Sequence, residues 1–332
     1  MANAPLTPDP VDVLVLGGGA AGLSAALSLG RSRRTVRVLD AGEPRNATSP
    51  HAHNLLTHDG TPPAELLAAG RAEVARYGVE VAATRVVAAR AVAADDDAPT
   101  EPAFEVDTAD GATHRARRVV VATGMRDVLP DVPGLAGRWG RDVLHCPYCH
   151  GWEVRDRTLA VLATGPRAVH MALLVRQLSA DVTLLLNDAF TPDAEQQADL
   201  AARGVRVVTG RVSRARTTDD ALTALVLADD EVVACDAVFV GTRALLDDTL
   251  VDGLGLATAP LDFAGEDVGR AVTVDATGAT SVPGVWAAGN VTGPQHALAS
   301  SIAAGSLAGA HVNASLVLAD LAYARSSTAA AA

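Results

Sequence analysis

No lysine occurs in this chain: all 27 basic residues are arginine. That excludes a Schiff-base lysine and the lysine of a phosphate-binding P-loop. There is no basic excess either. Acidic residues number 39, leaving a formal charge of −12, and such a chain repels the polyanion of a nucleic acid. Aromatic residues make up 3%, so no stacking cage for a substrate is legible. Three cysteines are too few for a disulfide framework, and a close pair among them reads as redox chemistry or metal binding. The stretch 1–10 is polar and proline-rich, without a basic and apolar signal pattern. No uninterrupted apolar run reaches the roughly 20 residues of a membrane span. The most apolar late stretch, 301–318, is rich in Gly, Ala and Ser and is broken by His311 and Asn313. These features predict a cytoplasmic chain with neither a membrane nor a nucleic acid as partner.

The length of 332 residues and the hydrophobic content of 49% suit two domains with sizeable cores. Residues 12–16 alternate as a buried strand, glycines follow, 20–29 is an apolar helix and 35–39 a second strand. This is a βαβ opening. Several β-branched runs follow between 79 and 121, with Asp95-Asp96-Asp97-Ala98-Pro99 marking an exposed hairpin or loop. A second strand–turn–helix–strand unit begins at 158–162 and ends at 182–186. Further strands run from 205 to 240, and a last helix starts near Ala297. The pattern predicts an α/β fold of two Rossmann-like domains, the second inserted in the first. The outer one spans 1–124 and 244–332, the inner one 125–243.

Gly17-x-Gly19-x-x-Gly22 follows a strand and opens a helix. The first glycine permits the tight turn, the second lets backbone approach a pyrophosphate, and the third allows helix–strand packing. Ala20 and Ala21 complete the helix N-terminus, where free N–H groups favour negative charge. Asp40 ends the next strand, where a carboxylate accepts from ribose hydroxyls. The second unit repeats this architecture without its chemistry. It reads Ala163-Thr164-Gly165-Pro166-Arg167-Ala168, with the first glycine replaced. Gly22 precedes Asp40 by eighteen positions, and Ala168 precedes Leu186 by the same eighteen. A leucine therefore stands where a ribose-binding acid belongs. A 2′-phosphate would need arginines just beyond, and the chain offers Asn187-Asp188. Poor use of nicotinamide nucleotides is expected.

Cys146-Pro147-Tyr148-Cys149-His150 carries the redox reading, because two cysteines three apart can close a small disulfide ring. Zinc needs about four ligands. His145 and His150 could complete the count, but crowding within six residues suits a tetrahedral shell poorly, and no metal is expected. His150 can shuttle the proton that thiol–disulfide exchange requires. Cys235, in an apolar strand, reads as a buried structural thiol.

Together these residues resemble the thioredoxin reductase-like FAD-dependent disulfide oxidoreductases, over nearly the whole chain. Cys-Pro-Tyr-Cys-His-Gly-Trp-Glu at 146–153 is most similar to the dithiol oxidases that close the disulfides of gliotoxin and holomycin in natural product biosynthesis. Thioredoxin reductases carry Asp where His150 stands, together with an intact NADPH fingerprint. The resemblance implies FAD at Gly17, Gly19, Ala20, Ala21, Gly22, Asp40, Ala41, Arg45, Asn54, Val86, Thr123, Gly124, Gly289, Asn290, His296 and Ala297. Asn290 stands where the family has Asp. The resemblance further implies a homodimer, a small dithiol substrate attacking Cys146, Cys149 beside the flavin, and dioxygen as acceptor giving hydrogen peroxide. A disulfide reductase fed by NADPH or ferredoxin, and a flavin-binding redox sensor, are the other readings.

Overall fold

Strand β1 (Val11–Leu16) shows why the first unit folds where it does. Its alternating side chains divide between two cores, Leu14 and Leu16 on one face of the sheet and Val13 and Val15 on the other. Each fully buried aliphatic contributes about 1.5–3 kcal/mol, and apolar residues on both faces are what a parallel strand covered on both sides requires. The computed structural model describes residues 8–92, 103–263 and 265–330. The loop expected at Asp95-Asp96-Asp97-Ala98-Pro99 and the first seven residues lie outside the described residues.

Helix α1 (Ala20–Arg31) and β2 (Val36–Asp40) complete the first βαβ unit, with β1 and β2 parallel and Leu16 opposite Leu39. Helix α2 (Pro63–Ala75) leads to β3 (Glu80–Ala83) at the sheet edge. Strands β4 (Val86–Ala91), β5 (Phe104–Thr108) and β6 (Thr113–Val121) form an antiparallel meander. The last of these is shared: Thr113–Ala116 pairs with β5, while Val119–Val121 runs parallel to β1.

The chain then crosses through β7 (Arg126–Val128) into a second sheet. Strand β8 (Val143–Leu144) precedes the short helix α3 (Pro147–His150). The second unit consists of β9 (Leu159–Leu162), α4 (Ala168–Val175) and β10 (Val182–Leu185). Helix α5 (Ala194–Ala202) and β11 (Arg206–Val208) follow, then an antiparallel flap of β12 (Val212–Thr218), β13 (Ala221–Leu227) and β14 (Val232–Ala234). Strand β15 (Ala237–Val240) closes the parallel order β11-β10-β9-β15-β8. The return strand β16 (Arg243–Leu245) lies antiparallel to β7, so the two crossings run side by side. Helix α6 (Asp248–Leu254), the hairpin of β17 (Thr258–Phe263) and β18 (Glu266–Val272), β19 (Val285–Ala287) and α7 (Leu298–Ala330) finish the chain. Strand β19 pairs parallel with the C-terminal half of β6 and rejoins the first sheet. The architecture is α/β, in two Rossmann-like units.

The 301–318 stretch is part of a helix of 33 residues. By length and composition it could cross a membrane. Its small residues have a packing role in this fold: a side chain at Gly305 or Gly309 would strike the backbone of Ala21 or Ala25 in α1. Asp320 on α7 also pairs with Arg34 and Arg117.

Candidate active site

Cys146 and Cys149 are joined as a disulfide, with Cα atoms 5.2 Å apart. The local sequence produces the ring. Cys146 is extended (φ −113°, ψ 113°) and Pro147 opens α3, its fixed φ suiting a first helical position. One turn then carries Cys149 back over Cys146, whose carbonyl accepts the Cys149 amide at 3.1 Å. Both cysteines are half-buried. Tyr148 and Trp152 beside them are exposed, at 71% and 67%. Arg155 covers Trp152, its guanidinium 3.9 Å from the ring centre.

His150 ends α3 and points into a polar cluster from the 49–59 loop. Its Nε2 lies 2.6 Å from Ser49 Oγ, and Ser49 Oγ donates to the His51 carbonyl at 2.7 Å. A carbonyl only accepts, so the single hydroxyl proton of Ser49 is committed to His51. His150 therefore donates through Nε2–H, which leaves Nδ1 as the lone-pair nitrogen. Burial pushes the His150 pKa below its usual 6.5, Glu153 opposes this, and His53 adds to it. His53 meets His150 edge-on at 6.4 Å, and its Nε2 is 3.4 Å from Glu153. His145 is more deeply buried. Its Nδ1 donates to the Val240 carbonyl at 3.2 Å, and burial holds its pKa down against the pull of Asp127. Cys235 is 2% exposed, and burial pushes its thiol up to about 12.

A groove of about 1040 Å³ runs along the C-terminal edge of the first sheet. Gly17, Asp40, Ala41, Arg45, Val86, Thr123 and Gly124 all line it. Gly17 has φ +104°, and a side chain there would lie 2.5 Å from the Ala122 carbonyl. Helix α1 begins at Gly19 with no capping side chain and no acid in its first turn. Its free N–H groups with Gly19, Ala20, Ala21 and Gly22 form an anion cradle. A Cβ built on Gly19 meets nothing within 4 Å, so the space over it is open to a phosphate. Burial alone would raise the Asp40 carboxyl. Hydrogen bonds from Arg71 and from the Gly42 and Gly18 amides outweigh that and hold it below the usual range.

The structure gathers the remaining expected residues less uniformly. Gly289 (φ +79°) packs against Ala21, which brings that segment to the α1 terminus. Asn290 spends its amide hydrogens on the carbonyls of Gly293, Pro294 and His296, leaving only its Oδ1 for a ribityl hydroxyl. His296 faces Thr292 Oγ1 at 3.3 Å, and Ala297 accepts from the Ser301 amide. Asn54 is exposed, outside the groove lining, with its amide on Asp59. Arg45 grips Asp127 through two bonds of 2.6 and 2.7 Å and also holds the Pro294 carbonyl. Asp127 in turn accepts from Thr242.

In the second unit Leu186 is 7% exposed. Asn187 Oδ1 accepts from the Val212 amide, so neither residue is presented to a ribose. Among the described residues no three His, Cys, Asp or Glu side chains are grouped to hold a metal ion. Ser49 and His53 escape a reading by motif. Ser49 lies 101 positions from His150, and no local spacing links such residues.

Against known proteins, residues 11–306 match the model of the pyridine nucleotide-disulphide oxidoreductase family. The thioredoxin reductase tcpT of Claviceps purpurea is 38% identical over 194 residues, 54% of this chain and 57% of that protein. The match therefore spans little more than half of that relative's length. The thioredoxin reductase sirT of Leptosphaeria maculans is 32% identical over 95% of this chain and 97% of that one. The crystal structure of HlmI superposes with a TM-score of 0.89 at 44% identity, covering 99% of this chain and 100% of that chain. The chain belongs to the pyridine nucleotide-disulphide oxidoreductase family, and its fold is that of the thioredoxin reductase-like flavoproteins.

Proposed function

We propose that this family member is an FAD-dependent dithiol oxidase that closes a disulfide in a small dithiol and passes the electron pair to dioxygen, giving hydrogen peroxide. One observation carries the reading: the first glycine turn is open and has its acid, Asp40, whereas the second has a buried Leu186 in the acid's place. Electrons then enter through the disulfide rather than from a nicotinamide. Segments 1–124 and 244–332 hold the FAD, and 125–243 carries the cysteines. The open space over Gly19, the α1 terminus, Asp40 and the groove fit FAD, which when bound would take two electrons from the dithiol form and deliver them to dioxygen. The protein acts as a cytoplasmic homodimer, a compartment that suits the free Cys235.

The chain's own residues supply the exchange. A substrate thiolate attacks Cys146, the Cys146–Cys149 bond breaks, and a mixed disulfide forms. The second substrate sulfur displaces Cys146, so the substrate leaves oxidised and the protein holds both electrons as a dithiol. Attack needs a deprotonated sulfur, and His150 Nδ1 is the lone pair available for that proton. Ser49 and the His51 carbonyl fix the ring through Nε2. Cys149 would be the sulfur that passes the electron pair to bound FAD. Overall, one dithiol and one dioxygen give one disulfide and one hydrogen peroxide.

The relatives' names, thioredoxin reductase, favour a second reading, a disulfide reductase drawing electrons from NADPH or ferredoxin. Steady turnover with dithiothreitol in air separates the two. Equimolar oxygen uptake and peroxide release supports the oxidase. Rapid anaerobic bleaching of the flavin by micromolar NADPH supports the reductase and overturns the oxidase.

A further inference from the structure

The two glycine turns differ in what stands over their second glycine. Gly19 in the first and Gly165 in the second occupy the same position of the pattern. Over Gly19 there is nothing within 4 Å of a built Cβ, whereas over Gly165 stands the carboxylate of Glu266. This side chain comes from the first residue of β18, in the β17–β18 hairpin, far along the chain. Thr164 Oγ1 donates to Glu266 Oε1 at 3.0 Å, and Arg167 Nε lies 3.2 Å from the same oxygen. Arg167 also donates from Nη2 to the Thr242 carbonyl at 2.8 Å. Glu266 Oε2 is buried with no hydrogen-bond partner. Helix α4 starts just beyond, with no capping side chain and no acid in its first turn.

We infer that Glu266 is a built-in anion occupying the pyrophosphate position of the second dinucleotide turn, and that it is the residue that denies this crevice to nicotinamide nucleotides. The inference deepens the oxidase reading and rests on it. Loss of the ribose acid weakens a dinucleotide site, but a carboxylate seated on the glycine closes it. A phosphate arriving there would meet a like charge at contact, while Arg167 pairs with that same carboxylate at 3.2 Å, its Nη2 bonded to the Thr242 carbonyl and its Nε buried without a hydrogen-bond partner. Glu266 Oε2 is left without a donor, and a buried acceptor without one is costly. What remains of the crevice is a cavity of about 310 Å³, lined by His145, Thr164, Arg167, His170, Asp262 and Phe263 among others. That lies at the small end of ligand sites, which run from about 300 to 1,000 Å³.

The test uses the FAD-loaded full chain and two variants, Glu266→Gln, which keeps the shape and removes the charge, and Glu266→Ala, which empties the position. Binding of inorganic pyrophosphate and of NADPH is followed by calorimetry, with flavin content and thermal melting as controls of folding. The parent should bind neither ligand. Relieving a like-charge contact should tighten both by at least about tenfold in Glu266→Ala, about 1.4 kcal/mol, with Glu266→Gln between alanine and parent. If both variants fold, keep FAD and bind pyrophosphate no better than the parent, Glu266 is not an occupant of the phosphate position and the inference fails. If the parent itself binds NADPH and its flavin is reduced, the oxidase reading falls with it, so the two failures separate by the protein in which binding is seen.

Discussion

Replacing His150 with alanine should leave the FAD and the disulfide in place and slow the transfer of electrons from a dithiol. The size of the effect follows from the site. General acid–base catalysis typically contributes about 10²–10⁴-fold. Water can substitute in part, so a deficit of at least about tenfold is expected, below the full range. The pH dependence is more specific. Burial depresses the His150 pKa below 6.5, so the neutral ring persists into mild acid. The acid limb of the parent's rate should therefore fall below pH 6.5 rather than at it. Toward pH 9 the variant should approach the parent, since substrate thiols ionise unaided near their ordinary pKa of about 8.5. Ser49→Ala tests the same idea from the other end. It removes the acceptor of the His150 Nε2–H bond at 2.6 Å. A donor left unpaired costs about 1–3 kcal/mol, and the ring is freed to turn. A fall in rate with a displaced acid limb is expected, at unchanged flavin content. The assay is anaerobic stopped-flow reduction of the flavin by dithiothreitol from pH 6 to 9. A His150→Ala protein that reduces its flavin at the parent rate across neutral pH would show that the histidine is structural and that another group carries the proton.

Three further outcomes follow from burial and close approach. Gly19→Val should fold yet purify colourless, because its side chain enters open space over the cradle; Gly22→Val should not fold, because its side chain strikes the Gly17 carbonyl. Full flavin occupancy in a folded Gly19→Val protein would count against FAD there. The native protein should take up no iodoacetamide when oxidised and two equivalents after reduction, read by intact mass, since Cys235 is buried with its thiol raised to about 12. A third label on folded protein would contradict that burial. Stability should decline as pH falls below 6.5. Burial depresses His114, His145, His150 and His296 below that value, so the unfolded chain binds protons there that the folded chain does not, and acid favours unfolding. Asp40 and Asp127, held below 3.8, release their share only in stronger acid. A urea midpoint flat from pH 7 to 5 would refute this.

The elements legible in the sequence were those fixed by local pattern. Strand 12–16, helix 20–29 and strand 35–39 correspond to β1, α1 and β2 within about two residues, because the alternation and the glycine turn act over a few neighbours. The second unit was legible for the same reason, and Leu186 sits buried just beyond β10, as its register with Asp40 predicted. Long-range placement was not legible. Ser49 reaches His150, Asp127 joins Arg45 to Thr242, and Glu266 reaches Gly165 only once the chain has folded back on itself. The extent of α7 was hidden differently. Gly and Ser look like weak helix formers when read singly, but Gly305 and Gly309 let α7 press against α1, and packing overrides propensity.

The two turns also differ in a way that bears on how each would meet a phosphate. Backbone alone makes an anion cradle wherever an uncapped helix follows a glycine turn. Deleting side-chain readers, as at Leu186, leaves that backbone attraction intact, and a phosphate could still be drawn to the α4 terminus. Supplying an internal carboxylate answers the attraction instead of merely weakening it. Because Glu266 belongs to the segment after 244 and the turn to the segment before it, the same contact also spans the two sheets. The Arg45–Asp127–Thr242 bonds cross there as well. Glu266→Ala should therefore loosen the contact between the units as well as open the crevice. Limited trypsin digestion should detect this as faster cleavage at Arg243, in the crossing strand β16, and equal cleavage rates in parent and variant would confine Glu266 to the crevice alone.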